Sequence, residues 1–171
     1  MKTGIIFGTF APMHLGHLDV IKTADTECEK ICVACCGHVG DRGYPLLPIE
    51  KRTELAREAL VDITQNVILF PDTDPGIKKN WSGDRIWKYW TDRMRIRLTE
   101  ERITDYFEDE LIWYTSEEEY RDVLEEAGCR VRLCGRVRPV SGTAIREDPF
   151  RYLDSIAEPF RSVYIKEDER I

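Results

Sequence analysis

The run Thr3-Gly-Ile-Ile-Phe-Gly-Thr-Phe-Ala-Pro-Met-His-Leu-Gly-His17 constrains the fold of this chain more than any other stretch. Ile5 to Phe7 form a short apolar run that stops at Gly8 and Thr9. A turn through Ala11 and Pro12 follows, and Leu18, Ile21 and Ala24 then recur at helical spacing. The pattern predicts strand, glycine-containing turn, helix. Such a turn presents backbone N–H groups and the positive end of a helix dipole at the carboxyl edge of a strand, where anions bind well. His14 and His17, three residues apart at the predicted helix start, point to one side and can donate to the same anion. Phosphate chemistry is the first expectation.

The rest of the chain repeats the alternation. Lys30 to Cys36 reads as a second strand, and the glycine-rich stretch from Gly37 to Pro45 reads as a loop either mobile or shaped around a ligand. Pro48 opens a helix with Ile49, Thr53, Ala56 and Leu60 on one face, and Asn66 to Phe70 is a third strand stopped by Pro71. Ser82 or Asp84 caps a helix carrying a stripe of Trp87, Trp90, Met94 and Leu98. Glu110 to Tyr114 is a fourth strand. Ser116 and Glu119 have capping-box spacing for a helix ending near Gly128. Cys129 to Cys134 is a fifth strand, Val140 to Arg146 turns into a helix, and Pro149 and Pro159 punctuate a last helical portion before a charged, fraying tail from about Lys166. Five alternations predict an α/β fold: an open, mostly parallel five-stranded sheet with helices on both faces, its ligands beyond the carboxyl ends of the strands.

Composition narrows the partners. At 171 residues the chain is expected to be a single domain over 1–171, and 42% hydrophobic with 33% charged residues suffices for a core. A net charge of −7 argues against a broad nucleic-acid surface, though not against a small phosphorylated ligand that needs only a local cluster of donors. The N-terminus lacks a signal-peptide pattern, and no apolar run approaches the ~20 residues of a membrane span, so the expectation is a cytoplasmic protein. Cys32 and Cys35 share a strand and would face opposite ways, which is poor geometry for one metal. The six cysteines therefore read as reduced thiols, mostly in the core.

His14-Leu-Gly-His17 and Ser141-Gly-Thr-Ala-Ile-Arg146 resemble the two signatures of the nucleotidyltransferase superfamily, in the right order on a Rossmann-like pattern. The Asn80-Trp-Ser run, the Tyr114 to Glu118 segment and the continuation Ile145 to Tyr152 are similar to the adenylyltransferase domain of NadR-type nicotinamide-nucleotide adenylyltransferases, over nearly the whole chain. The resemblance implies transfer of AMP from ATP to nicotinamide mononucleotide (NMN), giving NAD and pyrophosphate. Members of that family also carry a ribosylnicotinamide kinase or a DNA-binding segment, and many form homo-oligomers. No Gly-x-x-x-x-Gly-Lys-Ser/Thr sequence occurs here, so kinase and repressor roles are not carried over.

The same resemblance assigns residues. His14, His17 and Arg146 are the catalytic donors, and Gly8, Thr9, Phe10, Ser141 and Thr143 join them around ATP. Mg²⁺ is carried by ATP, and no protein metal site is expected. NMN would meet Thr9, Phe10, Trp81, Trp87, Asp41, Arg42 and Arg52. Several of these have plainer alternatives: a helix cap for Ser141 and Thr143, a surface ion pair for Arg146, the core for Trp87, a solvated helix face for Arg52 with Lys51. Trp81 is the preferred stacking partner for the nicotinamide cation. Two rival functions stand beside this reading: a sister transferase such as pantetheine-phosphate adenylyltransferase, and a non-catalytic module that senses NAD or ATP.

Overall fold

The computed structural model describes residues 1–37, 47–71, 77–78, 80–105, 110–136 and 140–169, with side chains to 163. Along the chain run β1 (Lys2–Gly8), α1 (Leu15–Glu27), β2 (Lys30–Cys35), α2 (Ile49–Ala59), β3 (Val67–Leu69), α3 (Gly83–Glu100), β4 (Glu110–Thr115), α4 (Glu118–Glu126), β5 (Arg130–Leu133), α5 (Gly142–Glu147) and α6 (Glu158–Glu169). The strands form one five-stranded sheet in the order β3-β2-β1-β4-β5, every pairing parallel. The chain therefore winds outward from β1 through β2 and β3, then crosses to the other side for β4 and β5. That reversal leaves a crevice at the carboxyl end of β1, where open α/β sheets take their ligands.

Side-chain alternation splits the core. Ile6, Val33, Cys35, Ile112 and Tyr114 face Val20, Ile21 and Ala24 of α1, Leu55 and Ala56 of α2, and Phe160 of α6. Ile5, Cys32, Ala34 and Trp113 face Trp90, Met94 and Leu98 of α3 and Leu124 of α4. Each fully buried Ile, Val, Leu, Met or Phe side chain among them contributes roughly 1.5–3 kcal/mol. Cys32 and Cys35 thus lie on opposite faces as the strand period requires, and all six cysteines are buried thiols outside any disulfide. Burial pushes the Cys32 thiol up to about 12 and the Cys35 thiol up to about 11, so both stay protonated.

Two boundaries differ from the sequence expectation. Ser116 does not cap α4: β4 runs on to Thr115, whose hydroxyl accepts from Glu117 N–H at 3.1 Å, and Glu117 becomes the cap residue without a side-chain bond. The charged segment from Lys166 continues α6 to Glu169 rather than fraying. Among the described residues no helix is long and apolar enough to cross a membrane.

Candidate active site

α1 begins with an unusual reciprocal cap. His14 is the cap residue, in extended conformation, and its Nδ1 accepts from Gly16 N–H at 3.1 Å. In return the His14 N–H donates to His17 Nδ1, also at 3.1 Å. This is the geometry of a capping box, with two imidazoles in place of the usual hydroxyl and carboxylate. The rings stack with centroids 3.7 Å apart at 23°. Because both Nδ1 atoms accept, each neutral ring carries its proton on Nε2. Burial, helped by the nearby Arg136 and opposed by Asp19, brings His14 down to about 4. Burial, then the His14 ring and Arg136, holds His17 well below its ordinary value. Near neutral pH the pair offers two N–H donors without charge.

Glycine at position 16 has a steric reason. A Cβ there would lie 2.9 Å from His14 Cε1 and 3.0 Å from Nδ1, inside the space the ring needs to fold back on its own helix. Gly8 has another: Phe10 stands at φ 51°, buried, with its ring edge-on to His17 at 4.9 Å, and a Cβ on Gly8 would come within 2.9 Å of it.

Two arginines fix the turn between β1 and α1. Arg146, in α5, donates to the Ala11 carbonyl at 2.8 Å and to the Thr143 hydroxyl at 3.3 Å. Ser141 caps α5 by accepting from Ala144 N–H at 3.1 Å. Arg52 is fully buried and donates to the carbonyls of Thr9 at 2.5 Å, Cys36 at 2.9 Å and Leu47 at 2.9 Å.

The two histidines, Phe10, Ser141, Thr143 and Arg146 border a cleft of about 750 Å³. Gly8, Thr9, Phe10, His14, His17, Ser141, Thr143 and Arg146, all anticipated around one nucleotide, line it together. One wall is aromatic. Phe7 meets Trp87 at 6.3 Å, Trp90 at 5.2 Å and Tyr120 at 5.4 Å, all edge-on, and these four rings line the cleft with Ile86. Trp81 is not among the lining residues. It packs on Tyr89 at 5.4 Å, and the Arg85 guanidinium sits 4.1 Å over its ring, whereas Trp87 lines the cleft. Arg52 is likewise neither on the cleft nor on a solvated face. Asp41 and Arg42 lie outside the described residues.

Tyr120, Arg132 and Arg136 line the cleft without having been anticipated. Their one sequence signal was position, since Arg136 follows the carboxyl end of β5 and Tyr120 lies early in the helix after β4. Neutral N–H donors beside fixed guanidinium groups and a helix start suit the oxygens of a polyanion, and an aromatic wall suits a flat ring.

A family model described as cytidylyltransferase-like matches residues 5–167. The phosphopantetheine adenylyltransferase of Lactococcus lactis subsp. cremoris (strain MG1363) is 38% identical over 65 residues, 38% of this chain and 38% of the relative. The trifunctional NAD biosynthesis/regulator protein NadR of Escherichia coli (strain K12) is 23% identical over 176 residues, covering 95% of this chain and 40% of the relative. The chain thus spans about two-fifths of the length of these relatives. A crystal structure of NadR in complex with NAD and AMP-PNP superposes with TM-score 0.69 and 28% identity, over 93% of this chain and 45% of that one. By the family match, which runs over almost the whole of it, the chain belongs to the cytidylyltransferase-like family.

Proposed function

We propose that the chain is an NMN adenylyltransferase, transferring AMP from ATP to NMN. The observation that carries this reading is the composition of one cleft: paired neutral histidine donors and Arg146 border the same space as an aromatic wall. The NMN phosphate oxygen attacks the α-phosphorus of ATP. The bond from that phosphorus to the β-bridging oxygen breaks, and pyrophosphate leaves with the electron pair. No protein nucleophile is needed, so the work of the chain is positioning and charge stabilisation. The Nε2–H groups of His14 and His17 donate to phosphate oxygens, Arg146 holds the β- and γ-phosphates and the leaving pyrophosphate, and Ser141 and Thr143 add donors at the start of α5. Gly8, Thr9 and Phe10 bring backbone close to both substrates, and Trp87 offers a ring face or edge to the nicotinamide cation.

Mg²⁺ enters as part of the ATP substrate. Among the described residues no group of three or more His, Cys, Asp or Glu stands together to hold a resident ion.

The phosphopantetheine relatives make a second acceptor specific enough to test. Their similarity covers 38% of the chain, against 95% for NadR, and a pantetheine arm has no flat cation for the aromatic wall. The assay is pyrophosphate release with ATP, Mg²⁺ and each of NMN, nicotinic acid mononucleotide and phosphopantetheine. Fastest release with NMN is expected, and release with phosphopantetheine alone replaces the acceptor. In the same assay His17→Ala should lose turnover by about two to three decades while NMN binding stays detectable. A His17→Ala enzyme at full rate would sink the mechanism, and tight NAD binding without any release would leave a sensor.

A further inference from the structure

Three cations line the cleft among the described residues, Arg132, Arg136 and Arg146, and they are held in different ways. Arg132 is anchored: its Nε and Nη2 both reach the Glu27 carboxylate at 3.3 Å, and its Nη1 donates to the Leu133 carbonyl at 2.9 Å. Arg146 braces the Ala11 carbonyl, as described above. Arg136 stands on the stretch after β5 and meets the Glu117 carboxylate at 3.7 Å and the Val140 carbonyl at 3.5 Å. Both contacts are longer than the ~2.8 Å of a good charge-assisted hydrogen bond. Half of each partner is open to solvent, 51% for Arg136 and 45% for Glu117, so water screens the pair and it contributes little. Glu117 itself lines the cleft at the start of α4. The contact spans the segments that follow β4 and β5.

We propose that Arg136 is a second phosphate-binding guanidinium, parked on Glu117 until a nucleoside triphosphate enters the cleft. The inference rests on the reading of the cleft as an ATP site and goes beyond it by assigning a residue outside both signature motifs. The charge inventory argues for it. His14 and His17 contribute dipoles rather than charge, and Arg132 is held by Glu27 at two points, which leaves Arg136 and Arg146 as the other cations among the described cleft residues. Arg136 lines the same cleft as both imidazoles, and its charge helps to keep them neutral. Exchanging a screened carboxylate for phosphate oxygens replaces long contacts by charge-assisted bonds and moves Glu117 out of competition with the incoming anion.

The test uses the full chain and AMP-PNP, read by titration calorimetry, so that it does not depend on the acceptor. Arg136→Gln should weaken AMP-PNP binding about ten- to a hundredfold, and Arg136→Lys should recover part of that loss. Glu117→Gln, which removes both the parking partner and a like charge, should tighten binding by about two- to fivefold. In turnover, Arg136→Gln should raise KM for ATP while KM for the acceptor stays within about twofold, a split that a general structural defect would not produce. Thermal melts confirm that these half-exposed substitutions leave the fold intact. Binding of Arg136→Gln within about twofold of the unaltered chain overturns the inference alone. Equal weakness of the Gln and Lys variants also overturns it, since charge would then not be the cause. Failure of the unaltered chain to bind AMP-PNP overturns both the inference and the ATP-site reading beneath it.

Discussion

Replacing Gly16 with alanine should separate stability from catalysis. Gly16 lies in the first turn of α1, and its φ is not among the positive values, so the backbone there accepts any L residue. Alanine in a helix is favoured over glycine by about 0.5–1 kcal/mol, which on its own would stabilise the fold. The added Cβ would meet His14 Cε1 at 2.9 Å and Nδ1 at 3.0 Å, whereas ordinary contact begins at 3.4 Å. The ring must therefore retreat by about 0.5 Å, from a site where it is 5% exposed and stacked on His17. Retreat lengthens the Gly16 cap bond and swings the Nε2–H away from its aim. Displacements approaching 1 Å cost about a hundredfold in rate, and loss of one oriented donor costs about a hundred- to a thousandfold. We expect kcat to fall about a hundredfold, equivalent to about 2.7 kcal/mol, with stability within about 1 kcal/mol of the parent. Pyrophosphate release and thermal melting on the same preparation measure both. A variant within threefold of the parent rate would refute the argument that this glycine exists to admit the ring, and activity lost only in step with unfolding would refute the positioning role.

Three other outcomes follow from the same geometry. His14 sits at about 4 in the fold against 6.5 when free, so the unfolded chain takes up its proton first as pH falls. The sign is therefore destabilising on acidification: the full contribution is present above about 6.5 and about 3 kcal/mol is lost on going down through 4, a slope that His14→Asn, which keeps a cap, should flatten in pH-dependent melts. Arg52→Met should cost about 3–5 kcal/mol, because it leaves the carbonyls of Thr9, Cys36 and Leu47 without their guanidinium donor, that of Cys36 in a buried site; a melt unchanged by the substitution would return Arg52 to a peripheral role. Trp87→Ala should raise KM for the acceptor by tenfold or more while Trp81→Ala leaves it nearly unchanged, and the reverse order would restore Trp81 as the stacking residue.

What could be read in the sequence divides along a physical line. The five strands and their helices were legible because period-2 and period-3.6 patterns are local, and the strand–turn–helix around Gly8 to His17 carries its own turn chemistry. The motif residues were legible for the same reason, and the sheet order then brought Arg146 to the Ala11 carbonyl across 135 positions of sequence. Arg52 shows where such reading fails although the positional signal was present. It is three residues from Ile49 and four from Ala56, squarely on the buried face of α2, but an arginine is almost never placed fully inside on residue type alone. Its burial makes sense only with the backbone it serves: one carbonyl in the turn after β1 and two at the opposite ends of the connection from β2 to α2. Trp81 and Trp87 were ranked by closeness to Asn80 and the cap, whereas the stripe Trp87, Trp90, Met94 and Leu98 is the guide to which rings line the cleft. A stripe that is core at its middle turns becomes cleft wall at the turn nearest the carboxyl ends of the strands, which is where Trp87 meets Phe7 and Tyr120. The histidine cap was hidden by residue type, since a capping box is sought among hydroxyls and carboxylates. That substitution also explains the charge state: using both Nδ1 atoms as acceptors for the helix start commits both rings to be neutral donors, so the same bonds that begin α1 orient the site.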